Sequence, residues 1–206
     1  GTFTSVSSLE RNRIAAIDTG TGAPTSWRSD ANNTLFKLTS VNGQLFAGGS
    51  FTSIGGASRI NIAAFDESTG KVKPWSPTTD ADVYSLLRKD GTIYIGGDFT
   101  IVNSQFRNYI ASIDTLGNVL AWNPNANNDV LSLSIASSSN SIIAGGFFTN
   151  IGGASRSKVA GLDVSTGFAT SFQANINDNI YSLVVSNNTV YIGDRKSTRL
   201  NSSHRT

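Results

Sequence analysis

Asparagine and aspartate residues cluster at four places in the chain, each time directly before a short apolar segment. Carboxylate and amide oxygens can coordinate a hard cation such as Ca²⁺, and they also accept hydrogen bonds from the hydroxyl groups of a sugar. The competing interpretation is structural, because Asn and Asp often start a strand with an Asx-turn. The sequence leaves both interpretations open. The candidate ligand-binding residues are Asp80, Asp82, Asn128, Asp129 and Asp178.

The composition leaves little material for side-chain catalysis. The chain has no cysteine and no methionine, and its single histidine is His204, near the end. Neither a Ser-His-Asp or Cys-His triad nor a zinc site of Cys and His ligands can be built upstream of that histidine. Glycoside hydrolysis would need two acids in contrasting environments, and no such pair stands out. We therefore predict that the protein is not an enzyme and has no cofactor, with Ca²⁺ at the Asn/Asp clusters as the alternative.

The last thirteen residues differ in character from the rest. Residues 194–206 resemble the conceptual translation of a sequencing adapter, and they interrupt a pattern that runs through the preceding 193 residues. Setting aside their four basic residues and one acidic residue changes the balance from 16 basic and 14 acidic to 12 and 13. We interpret this segment as a non-native or disordered tail rather than a genuine basic one. The basic character of the whole chain therefore does not indicate nucleic-acid binding.

The preceding 193 residues contain four copies of one unit of about 48 residues. Each unit has four short candidate strands, some joined by Asn-Gly or Asp-Gly pairs typical of two-residue hairpins. No segment has a sustained 3.6-residue apolar period, so we expect little helix. Four antiparallel strands in a unit of this length predict a β-propeller blade. The phase is marked by Arg11, Arg59, Arg107 and Arg156, by Asp18, Asp66, Asp114 and Asp163, and by Trp27, Trp75, Trp122 and Phe172.

The predicted fold class is all-β, a propeller fragment of four-stranded antiparallel blades. Whole blades are expected at about 33–78, 81–125 and 128–174, with half-blades at 1–28 and 179–193. The half-blades could meet and close a four-bladed ring. We instead predict an open arc of a larger ring, because the repeat is cut at both ends. In either arrangement the Asn/Asp clusters face one mouth of the central channel.

The residues that recur in every unit have a structural interpretation. We expect the Trp series to pack between neighbouring blades, where burial of one such side chain contributes a few kcal/mol. The repeated glycine pairs, such as Gly96-Gly97, are expected where blades and turns approach too closely for a side chain. The repeated Arg and Asp residues are expected either to pair with each other or to cap turns.

Residues 94–100, followed by residues 107–114 and 121–126, resemble a kelch-like family of bacterial secreted propeller repeats whose function is largely unassigned. The resemblance covers residues 1–193. It implies a secreted or cell-surface location, and it implies further propeller repeats in the intact chain.

These observations favour a non-catalytic extracellular or cell-surface interaction or scaffold domain that binds a glycan or a protein partner. We expect no nucleic-acid partner. We also expect no membrane span, because no apolar run approaches the roughly 18–20 residues that a membrane helix needs. The alternative is a carrier or partial propeller of a secreted hydrolase-type enzyme whose catalytic groups lie outside residues 1–193.

Overall fold

The computed structural model describes residues 1–195. Of the predicted tail, only Asp194 and Arg195 fall in this range, and residues 196–206 lie outside the described residues. Within 1–195 the only helix is a 3-10 turn at Ser137–Ser139, and no helix there has the length or apolar character to cross a membrane. The strands are β1 (Ser5–Val6), β2 (Leu9–Glu10), β3 (Leu35–Val41), β4 (Gln44–Gly49), β5 (Ser53–Ile54), β6 (Ala57–Ser58), β7 (Ile62–Asp66), β8 (Val83–Lys89), β9 (Thr92–Gly97), β10 (Ile101–Val102), β11 (Gln105–Phe106), β12 (Ile110–Ile113), β13 (Val130–Ala136), β14 (Ser141–Gly146), β15 (Asn150–Ile151), β16 (Ala154–Ser155), β17 (Val159–Asp163), β18 (Ser182–Ser186) and β19 (Thr189–Gly193).

Three antiparallel sheets share one design, and we call them the first, second and third blades. Their strand orders are β3-β4-β7, β8-β9-β12 and β13-β14-β17. The fourth strand is reduced in each blade to one bridged pair of residues, as between Phe65 and Val72 of the first blade. β18 and β19 pair only with each other within the described residues. The unclosed sheets confirm the predicted all-β propeller fragment in the form of an open arc.

A small hairpin lies between the second and third strands of each of the three blades. The repeat pattern in the sequence did not predict it as a separate element. Its turn has a left-handed backbone, with φ of 57° at Gly55 and 77° at Gly56 in the first blade. Asn103 and Ser104 take these places in the second blade, with φ of 45° and 63°. Asparagine tolerates this conformation better than most residues. Replacement of the two glycines by Asn103 and Ser104 therefore leaves the left-handed conformation of the hairpin turn unchanged.

The three blades pack on one another through their first strands and through one tryptophan at each of the two interfaces. β8 lies against both β3 and β13. The indole nitrogen of Trp75, in the first blade, donates a hydrogen bond to the carbonyl oxygen of Asp114 in the second blade at 3.0 Å. Trp122 makes the equivalent bond to Asp163 of the third blade at 2.9 Å. The predicted packing between blades is confirmed for Trp75 and Trp122, and both of these indole N–H groups find the partner that burial requires.

The paired glycines permit two close approaches, as predicted. A Cβ atom added to Gly96 would lie 2.7 Å from Val130 Cγ1 and 2.9 Å from Val130 O, both in the next blade. A Cβ atom added to Gly97 would overlap the carbonyl oxygen of Asp82 in its own blade. The first glycine of the pair therefore sets the distance between blades, and the second sets the distance between adjacent strands.

The repeated arginines and aspartates do not pair with each other among residues 1–195. Arg59 donates to the carbonyl oxygens of Ser58 and Lys73, both at 2.7 Å, and so ties the small hairpin to the fourth strand segment. Asp66 accepts hydrogen bonds from the backbone N–H and the hydroxyl group of Thr69, both at 2.9 Å. Of the two predicted roles, the structure therefore shows capping of backbone groups.

The turn carboxylates make stability depend on pH. Hydrogen bonds from Ser68 and Thr69 lower the pKa of Asp66 to about 2 from an ordinary value of 3.8. Because the folded pKa lies below the unfolded one, this stabilisation is complete above about pH 4 and is lost as the pH falls towards 2. We expect the urea midpoint to fall across this window, and to fall less steeply in Asp66→Asn, whose amide oxygen can still accept both bonds. Equal slopes for the two proteins would contradict the assignment.

Candidate functional site

In three of the Asn/Asp clusters the first residue, namely Asn32, Asp80 or Asn127, holds the small hairpin of its own blade. Asp80 Oδ1 accepts hydrogen bonds from the backbone N–H groups of Thr100 and Ile101, both at 2.8 Å. Its Oδ2 accepts a third bond from the Thr100 hydroxyl group at 2.7 Å. Asn32 and Asn127 accept the corresponding pairs of backbone bonds in the first and third blades. Asp80, a predicted ligand residue, therefore has a structural role in which its carboxylate stabilises the fold.

Asn128 and Asp178, at the next position of their clusters, form local turns. Asn128 Oδ1 accepts a hydrogen bond from the backbone N–H of Asp129 at 2.8 Å. Asp178 Oδ1 accepts one from the N–H of Asn179 at 2.7 Å. Both side chains are exposed, and no hydrogen bond within residues 1–195 joins either of them to Asp82. These two predicted ligand residues are not drawn into a common polar network.

Asp82 and Asp129, each two positions after the first residue of its cluster, lie near a carboxylate that sequence reasoning missed, Asp98. Burial raises the pKa of Asp82, and the negative charge of Asp98 raises it further. The same two causes, in the same order, raise the pKa of Asp129. Asp98 Oδ1 is buried and has no hydrogen-bond partner among the described residues. We call Asp82, Asp98 and Asp129 the carboxylate cluster. It lies at the boundary between the second and third blades, where their first strands begin.

Tyr84 completes this cluster from a β-bulge. The pairing of β8 with β9 shifts register between Val83 and Ser85, and a bulge of this kind redirects the side chain of the extra residue. The Tyr84 hydroxyl group donates a hydrogen bond to Asp98 Oδ2 at 3.0 Å. Burial and the neighbouring carboxylates, Asp98 first, raise the pKa of Tyr84, so its hydroxyl group remains a proton donor at neutral pH.

Two aromatic pairs flank the carboxylate cluster. The ring of Phe36, in the first blade, packs edge-on against Tyr84 with centroids 5.1 Å apart. On the other side Phe147 and Tyr181 pack in the same way at 5.3 Å, and the backbone N–H of Phe147 donates to the carbonyl oxygen of Asp129 at 2.9 Å. The Phe36 and Tyr181 side chains are exposed. The site therefore presents hydrogen-bond acceptors between two accessible apolar rings.

The sequence carried a signal for these aromatic residues that the repeat analysis did not use. Tyr84 and Tyr181 occupy the same repeat position, directly after a buried Val83 or Ile180. A large aromatic side chain that recurs without full burial is a candidate for ligand contact. Across residues 1–195, no three His, Cys, Asp or Glu side chains are grouped so that they could hold a metal ion.

Comparison with known proteins agrees with the architecture. Residues 42–66 and 88–116 match the family described as a domain of unknown function (DUF5122) beta-propeller. Each matched segment ends at or just after the third strand of a blade, so the match falls on corresponding parts of two consecutive units. The fold and these segments together define a propeller repeat of unassigned function. No curated protein matches the chain.

Two solved structures of computationally designed proteins share the fold. The chain is similar to the designed Ika4 protein, with 16% identity and a TM-score of 0.50 over 79% of this chain and 86% of that one. It is also similar to the designed Ika8 protein, with 16% identity and a TM-score of 0.56 over 84% of this chain and 47% of that one. At this identity the similarity concerns the fold alone.

Proposed function

We propose that the protein is a non-catalytic interaction domain, extracellular or at the cell surface, that binds a glycan at the carboxylate cluster. The observation that carries the proposal is Asp98. One of its oxygens is held by Tyr84, while the other is buried without a partner among the described residues. Burying a carboxylate oxygen with unused acceptor capacity costs free energy, and a hydrogen-bond donor on a ligand would offset that cost.

The surroundings of Asp98 suit a carbohydrate better than other ligands that carry donors. A sugar ring presents hydroxyl groups at its edge and C–H groups on its faces, and binding sites combine apolar walls with a few oriented polar groups. Asp82, Asp98 and Asp129 supply acceptors for the hydroxyl groups, and the exposed rings of Phe36 and Tyr181 supply the apolar walls. The negative charge of the cluster disfavours nucleic acids and other polyanions.

The electrostatics favour binding rather than glycoside hydrolysis. A glycosidase needs one carboxyl group kept protonated and one kept ionised, which requires environments that shift their pKa values in opposite directions. Here burial and the charge of Asp98 shift the pKa values of Asp82 and Asp129 in the same direction. Because Asp82 and Asp129 have equivalent environments, neither is favoured as the protonated acid over the other as the ionised base.

The test is binding of the full chain to an array of neutral and charged oligosaccharides, followed by calorimetry with the strongest ligand. Asp98→Asn keeps the size of the side chain but removes its charge, and we expect affinity to fall about 10- to 100-fold, as for loss of a hydrogen bond to a charged group. Phe36→Ala is expected to weaken binding by about tenfold through loss of the apolar wall.

Asp90→Asn is the matched control, because Asp90 lies in the exposed β8–β9 turn and its side chain is 82% accessible. Its affinity should equal that of the unmodified chain. Thermal unfolding of each variant separates loss of binding from loss of the fold. The proposal would fail if no oligosaccharide bound, or if Asp98→Asn bound as tightly as the control while remaining folded.

A further inference from the structure

A cavity of about 420 Å³ lies between the second and third blades, and we call it the Phe168 cavity. One wall is formed by residues 121–125 of the second blade, and the other walls by residues 150–154 and 166–168 of the third blade. Cavities of roughly 300–1,000 Å³ are typical of small-molecule sites. Both blades have their three strands and the bridged fourth segment, so the cavity does not depend on the ends of the arc.

Hydrogen bonds fix the walls of the Phe168 cavity. Across the blade boundary, the backbone N–H of Gly152 donates to the carbonyl oxygen of Pro124 at 2.7 Å, and the indole N–H of Trp122 donates to that of Asp163 at 2.9 Å. Within the third blade, the N–H of Ala169 donates to the carbonyl oxygen of Gly152 at 2.9 Å. A ligand therefore meets a cavity that is already formed, and little ordering of the protein opposes binding.

The corresponding space between the first and second blades is bridged by a side chain. Asn103, at the repeat position of Gly152, accepts a hydrogen bond from the backbone N–H of Thr78 at 2.8 Å. The same side chain donates to the carbonyl oxygen of Gly117 at 2.8 Å. Gly152 has no side chain with which to make these bonds. The glycine in the third unit therefore leaves the two walls unbridged at this boundary.

The ring of Phe168 forms one side of the cavity and is 66% exposed. Its repeat counterparts are Ala23, Lys71 and Asn118, so only the third unit has an aromatic residue here. Asn118 is exposed although its blade has a neighbour on both sides. The exposure of Phe168 is therefore a property of this turn position. An exposed ring beside a concave polar surface offers a face on which a ligand can pack.

Three exposed asparagine side chains supply the polar part of the lining, namely Asn123, Asn125 and Asn150. Among residues 1–195 no hydrogen bond involves the Asn123 side chain, and the single bond of the Asn125 side chain is accepted by its Oδ1 from Asn108 at 2.8 Å. An amide group has two donor N–H bonds and one acceptor oxygen. The described residues that line the cavity therefore offer free donors and acceptors but no charge.

We propose that the Phe168 cavity is a second ligand site, which binds a neutral sugar unit. One face of the sugar packs on the Phe168 ring, and its hydroxyl groups exchange hydrogen bonds with the amide groups of Asn123 and Asn125. A hydroxyl group both donates and accepts, as an amide group does, whereas an ionised carboxylate only accepts. This site shares no residue with the carboxylate cluster, and the proposal does not rest on glycan binding there.

The uncharged lining determines the class of sugar. A carboxylate or ammonium group that entered the cavity would lose hydration without gaining an ionic partner. Neutral hydroxyl groups cost less to desolvate and regain their hydrogen bonds from the amide groups. We therefore expect an oligosaccharide with a carboxylate on every unit to bind at least about tenfold more weakly than the best neutral one.

Titration of the isotope-labelled full chain, followed by NMR, tests the site. The probes are maltohexaose, cellohexaose and N-acetylchitohexaose, with hexagalacturonate as the charged comparison. At least one neutral probe should shift the side-chain amide signal of Asn123 and the backbone signals of Gly153 and Gly167 in a saturable way. Phe168→Ala should weaken this binding about tenfold, and Phe168→Trp should retain it. Asn123→Ala should weaken it about 2- to 10-fold.

Phe106→Ala is the matched control, because Phe106 is also an exposed phenylalanine, 78% accessible, but does not line the cavity. Its binding should equal that of the unmodified chain. The proposal would be overturned if no neutral probe shifted the cavity signals, if folded Phe168→Ala bound as tightly as Phe106→Ala, or if hexagalacturonate bound as tightly as the neutral probes. Shifts confined to residues around Asp98 would also overturn it, while they would support glycan binding at the carboxylate cluster.

Discussion

Replacing Trp75 with alanine is expected to lower the free energy of unfolding by about 3–5 kcal/mol, the cost typical of removing a buried aromatic side chain. Trp75 is 7% exposed and packs edge-on against Phe46 with ring centroids 5.4 Å apart. Its indole N–H donates to the carbonyl oxygen of Asp114 in the next blade. The substitution therefore removes packing within one blade together with the bond that joins two blades. Urea unfolding measures the change.

Two further variants separate these contributions. Trp75→Phe keeps an aromatic ring but leaves the Asp114 carbonyl without its donor, and it should cost about 1–3 kcal/mol. Leu116→Ala is the control, because Leu116 lies near the same contact but is 82% exposed. Its effect should stay within about 0.5 kcal/mol. A loss below about 1 kcal/mol for Trp75→Ala would contradict a central role for this residue in joining the blades.

Replacing Gly96 with alanine is expected to destabilise the protein by about 1–3 kcal/mol, although the change adds only one methyl group. The added Cβ atom would lie 2.9 Å from the backbone oxygen of Val130 and 2.7 Å from its side chain. Since a backbone atom cannot move aside independently, the second and third blades must separate slightly. Thermal and urea unfolding should both report the loss.

Gly193→Ala is the matched control for this effect. Gly193 occupies the same repeat position as Gly96, but the nearest atoms to an added Cβ lie 3.9 Å and 4.0 Å away, both in Ser182. Because this space is open, we expect its stability to equal that of the unmodified protein. Equal losses for the two variants would show that the cost arises within the strand rather than from the neighbouring blade.

The Asn/Asp clusters show how far sequence reasoning reached at the candidate site. Asp80 and Asp82 are two residues apart and chemically identical, and the sequence predicted the same role for both. The structure assigns Asp80 to three hydrogen bonds with the small hairpin and leaves Asp82 beside Asp98. That difference depends on Thr100, which is distant in sequence and reaches the cluster only because β9 turns back along β8.

The orientation of Tyr84 and the role of Asp98 are two features that the repeat pattern did not predict. Alternation along an ideal strand assigns residues to faces, but the bulge at Tyr84 breaks that alternation and redirects its ring. Asp98 follows a repeated glycine pair, where its counterparts are Ser50 and Phe147. The repeat therefore gave no reason to choose it. Its hydrogen bond to Tyr84 and its buried oxygen arise only when two strands of one blade pair.

Four features follow from the amino-acid sequence alone: the four repeated units, the all-β class, the position of the glycine pairs and the absence of His and Cys chemistry from residues 1–193. Such features depend on spacing along the chain and on residue type, and their repetition makes them recognisable in the sequence. Folding separates the Asn and Asp side chains that accept backbone hydrogen bonds from those that lie near Asp98. Folding also leaves Ile17 and Tyr191 exposed although their repeat counterparts are buried. Burial and free acceptor capacity depend on the neighbouring strand, and in a propeller that neighbour can lie about one repeat away in the chain.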